Sequence, residues 1–287
     1  MNGEIMQNYL RLMRLDKPIG ILLLLWPTWW ALWIAYHGIP ELGVLFAFSA
    51  GVLLTRSAGC AINDYADRDF DGMVERTAQR PLATGAIKPK SALILTIVLS
   101  LIAFLIAWYW LTALTLLWSI PALVIFVSYP FFKRFFPIPQ LYLGVAFSFG
   151  IPMAFIQASG NLPSVAYLLF AANLFWVLAY DTIYALVDLP DDLEIGIKTS
   201  AITFGKNVIP IVMICYVIFW LLLVTVGVTC NFSCVYFVGL VLLLCLIYQV
   251  YRQIKAQERS ACFKAFLYNN KLGYLVFISI AINYWWS

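Results

Sequence analysis

Ten of the chain's fourteen acidic residues fall in two short stretches, 64–75 and 181–194. The first lies within "CAINDYADRDFDG" (60–72) and the second within "DTIYALVDLPDD" (181–192), each following a long apolar run. Clustered carboxylates repel one another and raise each other's pKa unless a cation neutralises them. On a helix, Asn63, Asp67 and Asp71, each four apart, share one face, and Arg56 and Cys60 continue it toward the apolar side. Asp181, Tyr184 and Asp188 share a face in the same way, extended by Asn173 and Val177. Pro190 is expected to end that helix, which leaves Asp191 and Asp192 on the turn beyond. Carboxylate and amide oxygens select hard cations, and Mg²⁺ is usually held by one or two carboxylates together with substrate phosphate oxygens. A single acidic cluster could be a solvated loop; two with matching helical spacing argue for a shared cation site.

Basic residues interleave with these acids: Arg68, Arg76, Arg80 and Lys198, with Lys133 and Arg134 from a loop between. Cations beside metal-binding carboxylates suit an anion held both directly and through the metal, and diphosphate has that character. Membrane topology alone would also place these charges there. An apolar interior below a diphosphate would hold a long hydrocarbon, so a polyprenyl diphosphate fits. Mg²⁺ would neutralise its leaving group. The resulting allylic cation needs a dry chamber lined by π-faces, for which Tyr129, Tyr180, Tyr184 and Phe70 are candidates, although such aromatics also serve as packing or interface anchors.

The elements that position these groups are apolar throughout. Of the 287 residues, 63% are hydrophobic and 11% charged, against about 25% charged in soluble domains; mean hydropathy is +0.89. The chain is expected to be all-α and polytopic, because backbone in lipid must satisfy its own hydrogen bonds and the apolar runs do not alternate as barrel strands do. With ~20 residues per span, nine spans are expected, at 18–36, 42–63, 91–110, 112–132, 139–157, 164–188, 207–228, 232–251 and 266–286. They would form one bundle, a single domain over 1–287, around a central cavity, with the acidic loops at 63–90 and 181–206. Lys and Arg occur before the first span and in alternate loops, while "HGIPE", "ASGNLP" and "TCNFS" carry none. The positive-inside rule then puts the N-terminus and both acidic clusters on the cytoplasmic face. The first apolar run lacks a cleavage site and reads as a retained span. The net charge of +4 is a topology signal and implies no nucleic-acid partner.

The lone His37 falls in an outer loop, away from any cytoplasmic chemistry. The six Cys show no metal-binding spacing. Cys230 and Cys234 could pair in an oxidising compartment; isolated apolar cysteines are the simpler reading. Trp26, Trp29, Trp30 and Trp33 could line a cavity, with packing or interface anchoring the more ordinary role.

"NDYADRDFD" has the N-D-x-x-D-x-x-x-D form of the UbiA superfamily of intramembrane prenyltransferases, and Tyr184, Asp188 and Asp192 match its second motif, Y-x-x-x-D-x-x-x-D. "LMRLDKPIGILLLLWPTWWALW", "RTAQRPLATG", "IGIKTSAITFG" and "RSACFKAFLYNN" resemble the bacterial branch that prenylates 4-hydroxybenzoate for ubiquinone biosynthesis. The resemblance covers essentially the whole chain. It implies Mg²⁺ held by Asn63, Asp67 and Asp71 on one side and Asp188 and Asp192 on the other, with Asp67, Asp71, Asp188 and Asp192 central to catalysis. It also implies transfer of the polyprenyl chain to the ring carbon ortho to the hydroxyl, in the bacterial inner membrane, with membrane lipid around the bundle and no protein partner required. A benzoate needs a cationic anchor; Arg14 and Lys17, with Asp16 orienting one of them, or the intramembrane Arg56, are the candidates. Pro190 inside the second motif departs from the expected pattern and leaves Asp191 and Asp192 in competition for the metal, with spacing favouring Asp192. Another aromatic acceptor, or a divalent-cation or organic-anion transporter, is the competing reading. A transporter would place its charges near the bilayer midplane, whereas here they gather at one end.

Overall fold

The computed structural model describes residues 2–69, 71–73, 75–132 and 135–286. Phe70, Lys133 and Arg134, named above, lie outside the described residues. An amphipathic helix α1 (Asn2–Leu12) precedes α2 (Ile19–Ala35), α3 (Leu42–Asp67), α4 (Pro89–Trp110) and α5 (Ala113–Phe132). Then come α6 (Pro139–Ser148), α7 (Gly150–Ser159), α8 (Ser164–Ile195), the short α9 (Ser200–Phe204), α10 (Val208–Thr229), α11 (Cys234–Ile254) and α12 (Arg259–Trp286). Among the described residues, seven stretches are helical, long and apolar enough to cross a membrane, and Ile19–Ala35 and Ala113–Tyr129 are shorter apolar helices. These nine coincide with the nine expected spans. The chain is a multi-pass membrane protein.

One span is broken, and one expectation needs correction. The span at 139–157 is two helices, α6 and α7, joined at Phe149. Pro152 has no N–H to donate to the carbonyl of Ser148, one turn back, and Asn173 of α8 donates to Ser148 Oγ at 2.9 Å, holding the break against α8. Pro190 does not end α8, which continues to Ile195. The turn beyond the proline is held from outside. Gly196, at φ 77°, and Ile197 donate to the Asp192 carbonyl at 3.0 and 3.2 Å. Arg259 binds the Asp191 carboxylate at 2.9 Å.

One core joins α2, α3, α6–α8 and α10–α12. At its centre Trp30 and Trp176 have ring centroids 5.2 Å apart, and Trp176 stacks on Phe219 at 5.7 Å. The buried Asn269 of α12 accepts from Trp176 Nε1 at 3.0 Å and from the Tyr216 hydroxyl at 2.8 Å, tying α12 to α8 and α10. Trp30 Nε1 donates to the Gly273 carbonyl at 3.0 Å. A Cβ on Gly273 would lie 2.6 Å from Trp26 and 2.7 Å from Trp176, so only glycine lets the three helices approach this closely. The tryptophans of α2 therefore pack the bundle rather than line a cavity. Cys230 and Cys234 are both free thiols, and His37 is an exposed residue at the end opposite the acidic clusters.

Candidate active site

Helices α3 and α8 both run toward the same end of the bundle, and each brings an acidic motif there. A cavity of about 990 Å³ opens between them. Its mouth is lined by Asn63, Asp64, Asp67 and Asp71 on one side and Asp188 and Asp192 on the other. The two acidic stretches, more than a hundred residues apart in the chain, thus share one chamber. Its deeper wall carries Phe147, Leu143, Phe126, Leu23, Tyr129 and Tyr180, an apolar and aromatic surface.

Asn63 and Asp67 sit in the last turn of α3, where Asn63 Nδ2 donates to Asp67 Oδ2 at 3.2 Å. Asp71 does not continue that helix: α3 stops at Asp67, and Asp71 begins a separate 3₁₀ turn. Asp and Gly are weak helix formers, and the loop supplies other partners. Thr77 Oγ1 donates to the Asp71 carbonyl at 2.8 Å, and Arg80 Nη1 reaches both Asp71 carboxylate oxygens at 2.9 Å. Burial raises the Asp71 carboxyl above its ordinary range, and the Arg80 guanidinium offsets part of that rise. A second small cluster, Leu12, Ala61, Leu82, Ile87 and Ala92, clamps α1 and this loop onto α3 and α4.

Sequence reasoning missed Asp64 as a site residue. It is 1% exposed and takes Arg14 Nη2 at 2.9 Å on both oxygens and Arg80 Nη1 at 3.0 Å. The signal lay in its position beside Asn63, with more guanidinium groups nearby than ligand carboxylates. Arg259 was also missed. It bridges Glu75 (2.8 Å) and Asp191 (2.9 Å), latching the loop to the ends of α8 and α12. Asp191 is thereby held by Arg259, while Asp192 lines the cavity.

The predicted cations divide by position. Arg76 donates from Nε to both Asp188 oxygens at 2.9 and 3.0 Å, and lies 4.7 Å above the Tyr184 ring. Arg80, Arg14 and Lys198 line the cavity; Lys198 Nζ donates to the Phe135 carbonyl at 3.0 Å. Asp16 and Lys17 line its entrance. Arg68 is not brought to the cavity. It folds over Tyr65, donating to that residue's carbonyl at 2.8 Å and pairing with Asp69 at 3.4 Å. Tyr129, Tyr180 and Tyr184 all line the chamber, with Tyr184 packed 4.4 Å from Phe266. Arg56 lies deep inside, its guanidinium 5.4 Å from the Phe147 ring and its Nε without a hydrogen-bond partner among the described residues. Lys133 lies outside the described residues.

A hard cation fits this donor set only with help. Among the described residues no three of His, Cys, Asp and Glu stand close enough together to hold an ion by themselves. The oxygens are carboxylate and amide, and they face each other across a mouth rich in guanidinium groups. That is the arrangement for Mg²⁺ shared between few protein ligands and a polyphosphate.

Among the described residues, an all-helical membrane bundle holds a chamber with an acidic, polar mouth and an apolar, aromatic wall, the arrangement of an intramembrane enzyme acting on an amphiphile. The chain matches the model of the UbiA prenyltransferase family over residues 24–279 and belongs to that family. It is 57% identical over 272 residues to the 4-hydroxybenzoate octaprenyltransferase of Neisseria meningitidis serogroup B, covering 95% of this chain and 92% of that one. It is 54% identical to the enzyme of the same name from Nitrosospira multiformis, covering 96% and 95%. Among solved structures, a UbiA homologue from Aeropyrum pernix K1 superposes with a TM-score of 0.80 at 25% identity, covering 91% of this chain and 97% of that one. The fold is also that of a UbiA homologue from Archaeoglobus fulgidus bound to GPP and Mg²⁺, with a TM-score of 0.72 at 17% identity, covering 96% and 99%.

Proposed function

We propose that the chain is a 4-hydroxybenzoate polyprenyltransferase of ubiquinone biosynthesis, moving a polyprenyl group from its diphosphate to the ring carbon ortho to the hydroxyl. The observation that carries this reading is the meeting of two acidic helix ends across one chamber with an aromatic floor. The relatives named 4-hydroxybenzoate octaprenyltransferase at 57% and 54% identity point to the same acceptor and donor class. The chain works as a single domain, since one core links most of its helices.

Asn63, Asp67 and Asp71 from one wall and Asp188 and Asp192 from the other would hold Mg²⁺. When bound, Mg²⁺ neutralises the diphosphate and makes it a better leaving group. Arg76, Arg80 and Lys198 supply direct contacts to phosphate oxygens; the two arginines exchange a carboxylate partner for a phosphate one, both of which the guanidinium fork matches. The A. fulgidus homologue bound to GPP and Mg²⁺ has the same fold. The prenyl chain runs toward the apolar wall. Tyr129, Tyr180 and Tyr184 present π-faces to the positive charge that develops at C1, and the apolar wall around them disfavours water. Arg56, deep, cationic and without a hydrogen-bond partner at Nε among the described residues, anchors the acceptor carboxylate. Arg14 is already held by Asp64, so it and Asp16 and Lys17 shape the entrance. The basic residues of α1, of loops 68–90 and 196–207, and of the α11–α12 turn gather at the site end. The N-terminus and the site thus face the cytoplasm, in the inner membrane.

The test is turnover by the purified chain with Mg²⁺, a polyprenyl diphosphate and a panel of aromatic acceptors, product being read by mass. 4-Hydroxybenzoate should be the preferred acceptor, and EDTA should abolish turnover. Asp67→Ala and Asp188→Ala should each lower kcat by about a hundredfold or more. Undiminished turnover in both variants would remove the acidic motifs from the mechanism.

A further inference from the structure

Helix α12 carries two lysines on its outer side. Lys264 and Lys271 are both exposed and stand seven residues apart, two helical turns, so they share one face with Leu267 between them. Among the described residues neither is in an ion pair, and α12 contains no acidic residue to neutralise them. Their depths differ. Trp285, 81% exposed, marks the interface at the far end of the helix. The hydrocarbon layer takes about 20 helical residues, which counts back from Trp285 to Ala265. Lys264 thus lies at the lipid phosphate level, at the same end as the acidic mouth. Lys271 starts about 10 Å further into the hydrocarbon along the helix.

A lysine at that depth is costly, and its long side chain bends toward the nearer interface. Helical side chains lean toward the helix N-terminus, and the Lys271 ammonium rests 4.7 Å from the ring of Tyr268, one turn back toward Lys264. The two ammonium groups therefore converge on one stretch of surface. Like charges brought together at low dielectric repel, and the contact with the Tyr268 ring offsets the cost for only one of them. An anion between them removes the repulsion. It would carry its charge at the phosphate level and an apolar body below. Leu267 and Tyr274, 39% and 51% exposed on the same side, offer apolar surface for that body.

We propose that this face of α12 is a binding site for an anionic phospholipid, its phosphate between the Lys264 and Lys271 ammonium groups and an acyl chain along Leu267 and Tyr274. Charge complementarity decides the occupant. A zwitterionic lipid brings a cation of its own to the same place, whereas an anionic one leaves both lysines matched. The site lies apart from the polar mouth of the chamber but shares its wall: Leu267 also lines the chamber, as do Phe263 and Phe266. A lipid seated here packs against the outer side of that wall. The inference is independent of the reaction proposed above.

The test reads lipid binding and needs no turnover. The full chain, in micelles holding equal amounts of phosphatidylglycerol and phosphatidylcholine, is weighed by native mass spectrometry, which counts the lipids retained. Wild type should retain phosphatidylglycerol over phosphatidylcholine by about tenfold or more, since each lysine near the headgroups is worth about fivefold. Lys264→Met with Lys271→Met should bring that preference within about twofold of unity, and Lys271→Met alone should lower it by about fivefold. Lys264→Arg with Lys271→Arg should keep it. Lys88→Met with Lys90→Met, at exposed lysines beside the N-terminus of α4, should leave it unchanged. A wild type without the preference overturns the proposal. So does a preference that survives the loss of Lys264 and Lys271, or one that falls equally with Lys88 and Lys90. Should the double methionine variant not fold, Lys271→Met decides: an unchanged preference overturns the proposal, and the fivefold loss upholds it. An equal amount of polyprenyl diphosphate should not displace the phosphatidylglycerol. Displacement that disappears with the two lysines would make the face a site for that diphosphate and overturn the phospholipid assignment.

Discussion

At the scale of single residues, the site is a contest between guanidinium groups and metal for the same carboxylates. Arg76 forks onto Asp188, and a single Arg80 nitrogen, Nη1, donates to both Asp71 oxygens, with distances near 2.9 Å. The cation must compete with these pairs, and a diphosphate that draws the arginines away removes the competition. Mg²⁺ alone should therefore bind weakly, and should bind at least about tenfold more tightly in the presence of a non-reacting diphosphate analogue, as titration calorimetry would read. Equal affinities with and without the analogue would mean that the arginines and the metal use different oxygens. Asp64 has a different task, since it is buried between Arg14 and Arg80. Asp64→Ala leaves two guanidinium groups without their shared partner and should cost about 3 kcal/mol, seen as a lowered midpoint of thermal unfolding in detergent.

At the scale of elements, helix ends and close approaches set the chemistry. The extra turn of α8 beyond Pro190 carries Asp192 into the chamber and leaves Asp191 to Arg259. On α2, Gly20 gives the Arg56 guanidinium its place. Gly20→Ala should push that group aside with little effect on folding, since the far end of a side chain can shift. The KM for 4-hydroxybenzoate should rise by about tenfold, the worth of one charged hydrogen bond, with the KM for polyprenyl diphosphate unchanged. Steady-state kinetics with each substrate varied in turn would separate the two, and a rise confined to the diphosphate would place the acceptor elsewhere.

At the scale of the whole molecule, the aromatic and amide knot at the centre holds α2, α8, α10 and α12 together and so fixes the spacing of the chamber's walls. Asn269 accepts from both Trp176 and Tyr216 at full burial. Asn269→Ala leaves two buried donors unpaired and should destabilise the bundle by about 1–2 kcal/mol, read as a lower unfolding temperature in detergent. Gly273→Ala should act in the same direction, because the two indole rings it would meet cannot both yield.

Length of apolar run, placement of Lys and Arg, and the period-four spacing of acids were enough to expect an all-α polytopic bundle with both acidic motifs at one end. Each is a local property: a helix in lipid closes its own hydrogen bonds, so its existence and its polar end can be read from its own residues. The break at Phe149 and the survival of α8 past Pro190 were not legible, because both depend on partners elsewhere, Asn173 in one case and Arg259 and the Gly196 turn in the other. The same holds for pairing. Sequence placed Arg68, Arg76 and Arg80 near the acids and offered Arg14 as an anchor for the acceptor, but only the packing of α1 and the 68–88 loop decided that Arg14 and Arg80 share Asp64, that Arg76 takes Asp188, and that Arg68 stays outside. That Arg56 and Asp181 line the chamber without an ion pair among the described residues is a property of the assembled chamber, since a charge is unpaired only with respect to everything that surrounds it.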